Sequence, residues 1–274
     1  SQIQHVLTRK SAFERKAAGS GYDLQTVAAN IDSVFICMAL NADYNLRRLE
    51  RYLSVAWESR ATPLIVLTKS DLSDNLDAQM AEVEKTAPGT DILLCSVKDA
   101  SPYAAVLPYI ESGKTYAFIG SSGVGKSTLI NYLAGEEIFI TNETSEGGRG
   151  RHTTTHRQLI LLPDGGLVMD TPGMRELGAV KADFEKAFAD IEALAENCRF
   201  RDCTHSSEPG CAVIAAIESV ELDASRLKNY RKLQTEAEYN SLSSKQIEEE
   251  KIRRIFGSKK EMKQMFRQLK KKRL

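Results

Sequence analysis

The chain has 274 residues, 42% of them hydrophobic, which is enough apolar material for a full core and predicts about two domains. Its 37 basic residues balance 37 acidic ones, but segment 251–274 carries a net charge of +10 and the other 250 residues carry −10, which predicts a polyanionic partner for the tail. No apolar run is long enough to cross a membrane, the first residues lack an apolar signal region, and the five cysteines suggest no disulfide framework, so we expect a cytoplasmic protein.

Strand and helix patterns alternate through most of the chain. The first residues are the exception, since Ile3 to Leu7 is compatible with one strand and Gly19-Ser20-Gly21 is typical of a linker. Strands are predicted at 31–40, 63–67, 91–95, 114–119, 157–162 and 166–170, and helices at 46–56, 75–86, 104–110, 128–134, 184–194 and 212–239. This alternation predicts an α/β fold with a mainly parallel sheet, covered on both faces, that binds ligands at the carboxyl ends of its strands.

The first predicted helix has two contrasting faces. Apolar residues recur at helical spacing from Leu46 to Ala56, and the other face carries charged residues. These charged residues are Arg47, Arg48, Glu50 and Arg51.

A phosphate-binding loop is the most informative motif. Gly120-Ser121-Ser122-Gly123-Val124-Gly125-Lys126-Ser127 fits G-x-x-x-x-G-K-[ST], with a predicted strand before it and a helix from Thr128 after it. The glycines would let backbone N–H groups surround phosphate oxygens, and the helix N-terminus adds partial positive charge. Lys126 would reach the β- and γ-phosphates and the Ser127 hydroxyl would bind Mg²⁺, so the sequence predicts a nucleoside triphosphate site.

A second loop motif, Thr68-Lys69-Ser70-Asp71, follows the strand at 63–67. The Asp71 carboxylate can accept hydrogen bonds from guanine N1–H and the exocyclic amine, a pattern that adenine lacks, and Lys69 would lie over the base. Such a short motif also arises as an exposed turn, but its place after a strand, beside a phosphate loop, favours guanine. Ser96-Val97-Lys98, after the strand at 91–95, would offer a backbone N–H to guanine O6.

The Mg²⁺ and γ-phosphate contacts are assigned to two later segments. In Asp170-Thr171-Pro172-Gly173, the Asp170 carboxylate can hold Mg²⁺ through water and the Gly173 N–H can contact the γ-phosphate. The polar, glycine-rich segment 143–156 would be ordered by a ligand, and within its threonine run we favour Thr154 for the Mg²⁺ shell.

The group that orients the attacking water is not obvious. Met174 follows Gly173, and a thioether cannot orient water, so we predict slow intrinsic hydrolysis and a partner that completes the site. His152 is the internal candidate, as a polar group that enters the site when its segment is ordered.

The order of these loops is inverted relative to ordinary GTPases. Base-contacting loops come first, at 68–71 and 96–98, and phosphate and Mg²⁺ loops follow, at 120–127, 153–155 and 170–173. A circular permutation preserves such a site, because each loop depends on its own strand rather than on chain order.

Four potential metal ligands follow in the C-terminal part. Cys198, Cys203, His205 and Cys211 supply three thiolates and one imidazole within fourteen residues. Such a set closes a tetrahedral shell, favours Zn²⁺ and leaves no open position for catalysis. The alternative is three incidental cysteines and a surface histidine. Because the intervening loop is polar, we predict one structural Zn²⁺ that contributes folding energy.

The motifs T-K-x-D, G-S-S-G-V-G-K-S, G-R-x-T-T and D-T-P-G in this order, followed by a Cys/His cluster, resemble the circularly permuted ribosome small-subunit-dependent GTPase family, RsgA, also called YjeQ or YloQ. The resemblance implies a linker or remnant of an N-terminal OB-fold at 1–21, a circularly permuted P-loop GTPase domain at 22–180, and a mostly helical zinc-binding domain with a basic tail at 181–274. Thr68 departs from the family, which usually has Asn there.

The resemblance also implies a function. It implies a monomeric GTP hydrolase that uses Mg²⁺, acts in late maturation of the small ribosomal subunit, is stimulated by the subunit and leaves after hydrolysis. Composition alone leaves a membrane surface, solvated disorder and RNA open for the tail, and the resemblance favours ribosomal RNA and no membrane. The alternatives are a nucleotide-gated rRNA-binding module in which hydrolysis is secondary and an ATP-using phosphotransferase, which Asp71 disfavours.

Overall fold

The computed structural model describes residues 3–6, 8–16, 24–139, 158–170 and 183–240, with scattered positions from 246 to 262. The predicted site residues His152, Thr154 and Gly173 lie outside the described residues, as does most of the basic tail.

The N-terminal residues form a hairpin rather than the strand expected at Ile3–Leu7. Strand β1, Ala12–Lys16, pairs antiparallel with β2, Leu24–Ala29, whereas residues 3–6 have no regular secondary structure. The prediction of a strand there is wrong because no apolar face is covered: Ile3 is 83% exposed, while Phe13 of β1 is 1% exposed and packs in the main core. The boundary proposed at residue 21 falls between these two paired strands.

Six strands form the main sheet in the order β5-β4-β3-β6-β8-β7. Their bounds are β3 Ser33–Ala39, β4 Thr62–Thr68, β5 Ile92–Leu94, β6 Thr115–Ile119, β7 Gln158–Leu161 and β8 Leu167–Asp170. All neighbouring pairs in this sheet are parallel, apart from β7, which runs antiparallel to β8. The prediction of an α/β fold with a mainly parallel sheet is confirmed.

Seven α-helices lie in the described part of residues 46–240. Their bounds are α1 Leu46–Glu58, α2 Leu76–Thr86, α3 Lys126–Ala134, α4 Phe184–Ala187, α5 Ala189–Ala195, α6 Ala212–Glu218 and α7 Ala224–Asn240. Short 3-10 turns occupy Ser70–Leu72 and Ala104–Tyr109.

Three of the predicted helices differ from the observed ones. The segment at 104–110 is a 3-10 turn that contains Pro108, whose ring nitrogen cannot donate a helical hydrogen bond. The helix predicted at 184–194 is divided at Phe188, which leaves helical geometry and is fully buried. The helix predicted at 212–239 is divided near Val220, which has a positive φ of 63°.

Helices cover both faces of the main sheet. Alternate residues of β3 enter different cores, with Ile36 packing on the side of α1 and α2 and Phe35 on the side of α3. Burial on both faces explains why this strand is a continuous apolar run. A third core, built by α4 to α7, packs against Trp57 of α1 and carries the cysteine cluster.

Candidate functional site

The predicted ligand loops leave the sheet at one edge. Strands β3, β4, β5 and β6 are parallel, and register pairs Ala39 with Thr68 and Leu67 with Leu94. Neighbouring strands lie about 4.8 Å apart, so β4 and β6, with β3 between them, are separated by about 10 Å. The loop after β4 and the loop after β6 can therefore contact the same elongated ligand.

The loop after β6 has the backbone geometry of a phosphate cradle. Gly120, Gly123 and Gly125 have positive φ values of 150°, 76° and 100°. A Cβ atom on Gly120 would lie 2.3 Å from the Cys37 carbonyl oxygen, so only glycine lets the loop pass so close to β3. Gly125 is also the N-cap of α3, whose N-terminus points its free N–H groups into the loop region.

Lys126 lies within the same loop. Its ammonium group donates to the Gly120 carbonyl at 2.9 Å and to the Ser121 carbonyl. Ser127 and Thr128 follow it in the first turn of α3 and are half-buried. Ser122 is exposed at the loop tip, and Val124 is only 1% exposed and anchors the loop in the core below.

Thr68 joins the predicted base loop directly to the phosphate loop. This residue is 1% exposed, and its hydroxyl donates to the Val124 carbonyl at 2.5 Å. Lys69 then takes a left-handed conformation with φ of 56°, which turns the chain into the 3-10 turn that contains Asp71. Ser70 donates from both its N–H and its hydroxyl to the Cys95 carbonyl, at 3.3 Å in each case.

Asp71 contacts both polar side chains of the second predicted base segment, 96–98. The Ser96 hydroxyl donates to its Oδ1 at 2.7 Å, and the Lys98 ammonium lies 3.0 Å from its Oδ2. These donors hold the pKa of Asp71 below its usual value, because each favours the charged form. Asp71 is therefore an ionised acceptor at neutral pH, and Val97 between its partners is 57% exposed beside it.

One polar contact of the phosphate loop was absent from the sequence predictions. Asp43, in the loop between β3 and α1, accepts a hydrogen bond from the Ser121 hydroxyl. It also forms an ion pair with Arg48 at 2.8 Å. The available signal was its position, because the polar stretch after the apolar strand 31–40 is one more loop at the carboxyl edge of a parallel sheet.

The predicted magnesium set is only partly described. Ser127 lies at the start of α3, and Asp170 is the last residue of β8, where its backbone pairs with Gln158. The side chain of Asp170 and the segments that contain Thr154 and Gly173 lie outside what the structure describes.

The predicted metal ligands do converge. The ligand atoms of Cys198, Cys203, His205 and Cys211 all lie within 4.8 Å of one another. The sulfurs of Cys198 and Cys211 are 3.8 Å apart, and His205 Nδ1 lies 3.6 Å and 3.5 Å from them. A zinc tetrahedron with Zn–S of about 2.3 Å and Zn–N of about 2.05 Å has edges of about 3.8 Å and about 3.6 Å. The cluster therefore fits Zn²⁺.

The loop around these ligands is braced by polar contacts. The Glu208 carboxylate accepts hydrogen bonds from the N–H groups of Thr204, Ser206 and Ser207 and from the Thr204 hydroxyl. These bonds, led by that of the Thr204 hydroxyl, lower the pKa of Glu208 well below its usual value. Arg231 of α7 donates to the His205 carbonyl, which ties the ligand loop to that helix.

Among the helices in the described part of the chain, none is both long enough and apolar enough to cross a membrane.

Two family profiles match the chain. One, described as RsgA GTPase, covers residues 6–180. The other, described as ABC transporter, covers residues 105–272. Their overlap contains the phosphate loop at 120–127, a motif that GTPases and ATPases share, so the second match adds no separate site.

Curated relatives agree with the first profile. The "Small ribosomal subunit biogenesis GTPase RsgA 2" of Lactiplantibacillus plantarum is 50% identical over 97% of this chain and 75% of the relative. The protein of the same name from Vibrio parahaemolyticus is 49% identical over 87% of this chain and 68% of its own length. The "Small ribosomal subunit biogenesis GTPase RsgA" of Xanthomonas oryzae pv. oryzae is 47% identical over 86% and 66%.

Two solved structures share the fold. The crystal structure of YjeQ from Thermotoga maritima has a TM-score of 0.61 at 28% identity, over 86% of this chain and 78% of that one. YloQ, described as a circularly permuted GTPase, has a TM-score of 0.57 at 28% identity, over 77% and 69%. The predicted circularly permuted GTPase fold and the family resemblance are both confirmed, and the chain belongs to the RsgA GTPase family.

Proposed function

We propose that this protein is a GTP hydrolase that acts in late maturation of the small ribosomal subunit, is stimulated by the subunit and leaves it after hydrolysis. The observation that carries this proposal is the hydrogen bond from Thr68 to Val124, which joins the Asp71 loop to the Lys126 loop at one sheet edge. The names of the relatives supply the ribosomal partner.

Base selection falls to Asp71 and its neighbours. An ionised carboxylate only accepts hydrogen bonds, and guanine offers two adjacent donors on its N1 and exocyclic amine. Ser96 and Lys98 keep Asp71 charged and fix its orientation. A backbone N–H of the segment 96–98 would contact guanine O6, and Lys69, which follows the buried Thr68, would lie over the base.

Phosphate binding falls to the glycine-rich loop and Lys126. The ammonium group now donates to the Gly120 and Ser121 carbonyls, and a bound β- or γ-phosphate would replace these weaker partners with charged oxygens. Ser127, Thr154 and Asp170 would hold Mg²⁺, which neutralises phosphate charge when bound.

Hydrolysis also needs a water aligned with the γ-phosphorus. Gly173 would donate its N–H to the γ-phosphate, while the Met174 that follows it offers no hydrogen bond for the water. We propose that intrinsic hydrolysis is slow, and that His152 or a group from the subunit orients the water. Subunit-stimulated turnover that is the same in His152→Ala and in the parent protein would exclude the histidine.

The cysteine cluster would hold one Zn²⁺ in a closed shell of four ligands. Zinc supplies cross-linking rather than catalysis there, because Cys198, Cys203, His205 and Cys211 leave no position for water. Cys211 is also the N-cap of α6, so metal binding would fix that helix to the loop and stabilise the third core.

The basic tail at 251–274 would bind ribosomal RNA through its phosphates, with the protein acting as a cytoplasmic monomer. Eleven Lys or Arg and one acidic residue, Glu261, lie in this segment. Phosphate contacts of this kind release counterions, so subunit binding should weaken steeply with salt concentration. Binding that is insensitive to salt would contradict a phosphate-dominated contact.

Met174 favours one alternative, a nucleotide-gated rRNA-binding module in which hydrolysis is secondary. The deciding experiment measures GTP turnover with and without small subunits, and subunit release with GTP, GDP and a non-hydrolysable GTP analogue. Stimulated turnover and release that requires hydrolysis support the proposal. Release from the subunit that occurs equally well when GDP replaces GTP, without hydrolysis, would support the gated module. In the turnover assay, Asp71→Asn should lose hydrolysis of GTP, and Asp164→Asn, at an exposed turn between β7 and β8 and away from the base loop, serves as its matched control.

A further inference from the structure

The loop between β3 and α1 is held rigidly beside the phosphate loop. Asn41 accepts a hydrogen bond from the Asp43 N–H at 3.0 Å, and Asn45 caps α1 by accepting from the Arg48 N–H at 3.0 Å. The loop therefore enters α1 with both of its ends fixed by side-chain bonds.

Asp43 has two partners that belong to different parts of the molecule. Its Oδ2 accepts from the Ser121 hydroxyl in the phosphate loop. Both of its oxygens also accept from Arg48 Nη1, at 2.8 Å and 2.9 Å. One carboxylate thus connects the phosphate loop to the first turn of α1 through charge-assisted hydrogen bonds.

Two and three residues further along, the same helix contacts the group of helices α4 to α7, which we call the helical unit. Glu50 is fully buried and accepts from Arg226 of α7 at 2.9 Å and from Asn229. Arg51 pairs with Glu236 of α7 at 2.7 Å. These contacts use the charged face of α1, on which Glu50 is buried against α7 and Arg51 is partly exposed.

Arg48 lies only two to three residues before Glu50 and Arg51 in the same helix, so the two sets of contacts are about 3–5 Å apart along the axis of α1 and move together. A shift of the phosphate loop would move Ser121, and through Asp43 and Arg48 it would tilt α1 against α7. Helix α7 in turn holds the zinc ligand loop through the Arg231 contact with the His205 carbonyl.

We propose that Asp43 is a positioning residue that couples nucleotide occupancy of the phosphate loop to the packing of α7 in the helical unit. The inference rests on the proposed function, because it assumes that a guanine nucleotide occupies this loop. It deepens that function by assigning a route from the nucleotide to the helical unit that does not pass through the segments 140–157 and 171–182. By linkage, if the nucleotide changes the affinity of the helical unit for a partner by some factor, that partner changes the affinity for the nucleotide by the same factor.

The test is amide hydrogen exchange of α7 with and without saturating GDP and Mg²⁺. In the parent protein we expect GDP to slow exchange in Ala224–Asn240 by about fivefold or more. Asp43→Asn and Ser121→Ala should each lose most of this response even when GDP is raised to saturate the site. Ser121→Thr keeps a hydroxyl and should retain the response of α7 to GDP. The control Asp164→Asn should respond as the parent protein does.

The double variant, Asp43→Asn with Ser121→Ala, makes the test quantitative. If the two residues act through one contact, the double variant loses no more of the response than either single variant. A response of α7 that is unchanged in Asp43→Asn, or losses that add in the double variant, would overturn the proposal. Absence of GDP binding in the parent protein would refute the proposed function instead, whereas GDP binding without any response in α7 would refute only this inference.

Discussion

Replacing Glu50 with alanine should destabilise the protein far more than breaking a neighbouring ion pair between the same two helices. The Glu50 side chain is 0% exposed, and its carboxylate accepts from Arg226 and Asn229 of α7. The pair Arg51–Glu236 also joins α1 to α7, but its side chains are 26% and 32% exposed. Because the two contacts differ mainly in burial, Glu236→Ala is the matched control.

The expected magnitude follows from what Arg226 keeps. Removing one partner of a buried ion pair destabilises a protein by about 3–5 kcal/mol, because the other charge stays buried. Arg226 retains Asp190, at 2.7 Å and 2.8 Å, and the Ala187 carbonyl at 3.2 Å. We therefore expect the lower end, about 3 kcal/mol for Glu50→Ala, against about 0–1 kcal/mol for Glu236→Ala.

Glu50→Gln provides an intermediate case. Burial raises the pKa of Glu50 despite its cationic partners, so the charged form already bears a desolvation penalty that the amide avoids. The variant keeps the shape and one acceptor for Arg226. Its loss of stability should lie between those of Glu50→Ala and Glu236→Ala.

Urea denaturation followed by circular dichroism measures all three variants. A loss of about 3 kcal/mol corresponds to a fall in Tm of about 6–12 °C for a chain of this size, which thermal scans check independently. If the denaturation midpoint of Glu50→Ala is no lower than that of Glu236→Ala, the buried network between α1 and α7 does not exist in solution.

Four further predictions address the nucleotide and metal sites. Asp71→Asn should shift binding from guanine toward xanthine nucleotides, because an amide donates where the carboxylate accepted; unchanged preference in a GDP and XDP competition would refute the base assignment. Thr68→Val leaves the buried Val124 carbonyl unpaired, so GDP affinity measured by calorimetry should fall by about tenfold, while Thr68→Ser should not change it. A chelator should release about one equivalent of Zn²⁺ and unfold the helical unit, and Cys203→Ser should lower the metal content; metal-free protein with unchanged helicity would contradict a structural role. Because the Ser96 hydroxyl, the largest cause, lowers the pKa of Asp71, its charge is lost only as pH falls below the ordinary value of 3.8, so the ratio of GDP affinity to ADP affinity, in which the titration of the phosphates cancels, should be equal at about pH 5 and about pH 8.

The main elements of the fold were predictable because their signals are local. A strand buried on both faces needs apolar side chains at every position, and β3 shows such a run. The phosphate loop was predictable because its glycines, Lys126 and Ser127 are consecutive in the chain. The four metal ligands were predictable because Cys and His are sparse and fall within fourteen residues.

Other features depended on contacts between distant residues. Phe188 divides a helix that periodicity alone joins, because its ring is fully buried in the third core. Residues 3–6 were misassigned because β-pattern residues form a strand only where a partner covers them. Asp43 gave no motif, since a lone carboxylate in a polar loop has the same pattern whether it faces water or the phosphate loop.

By itself, the sequence predicted the chemistry of this protein: a glycine-rich phosphate motif, a carboxylate placed to contact guanine and a zinc-type ligand set. It also predicted the permuted order of the loops that follow the strands. Only the tertiary structure decided what the charged face of α1 does. Glu50 and Arg226 are 176 residues apart in the chain, and each has the pattern of an ordinary charged surface residue on its own helix. Their burial depends on α1 packing against α7, and no local pattern encodes which distant surface will exclude water from a charge.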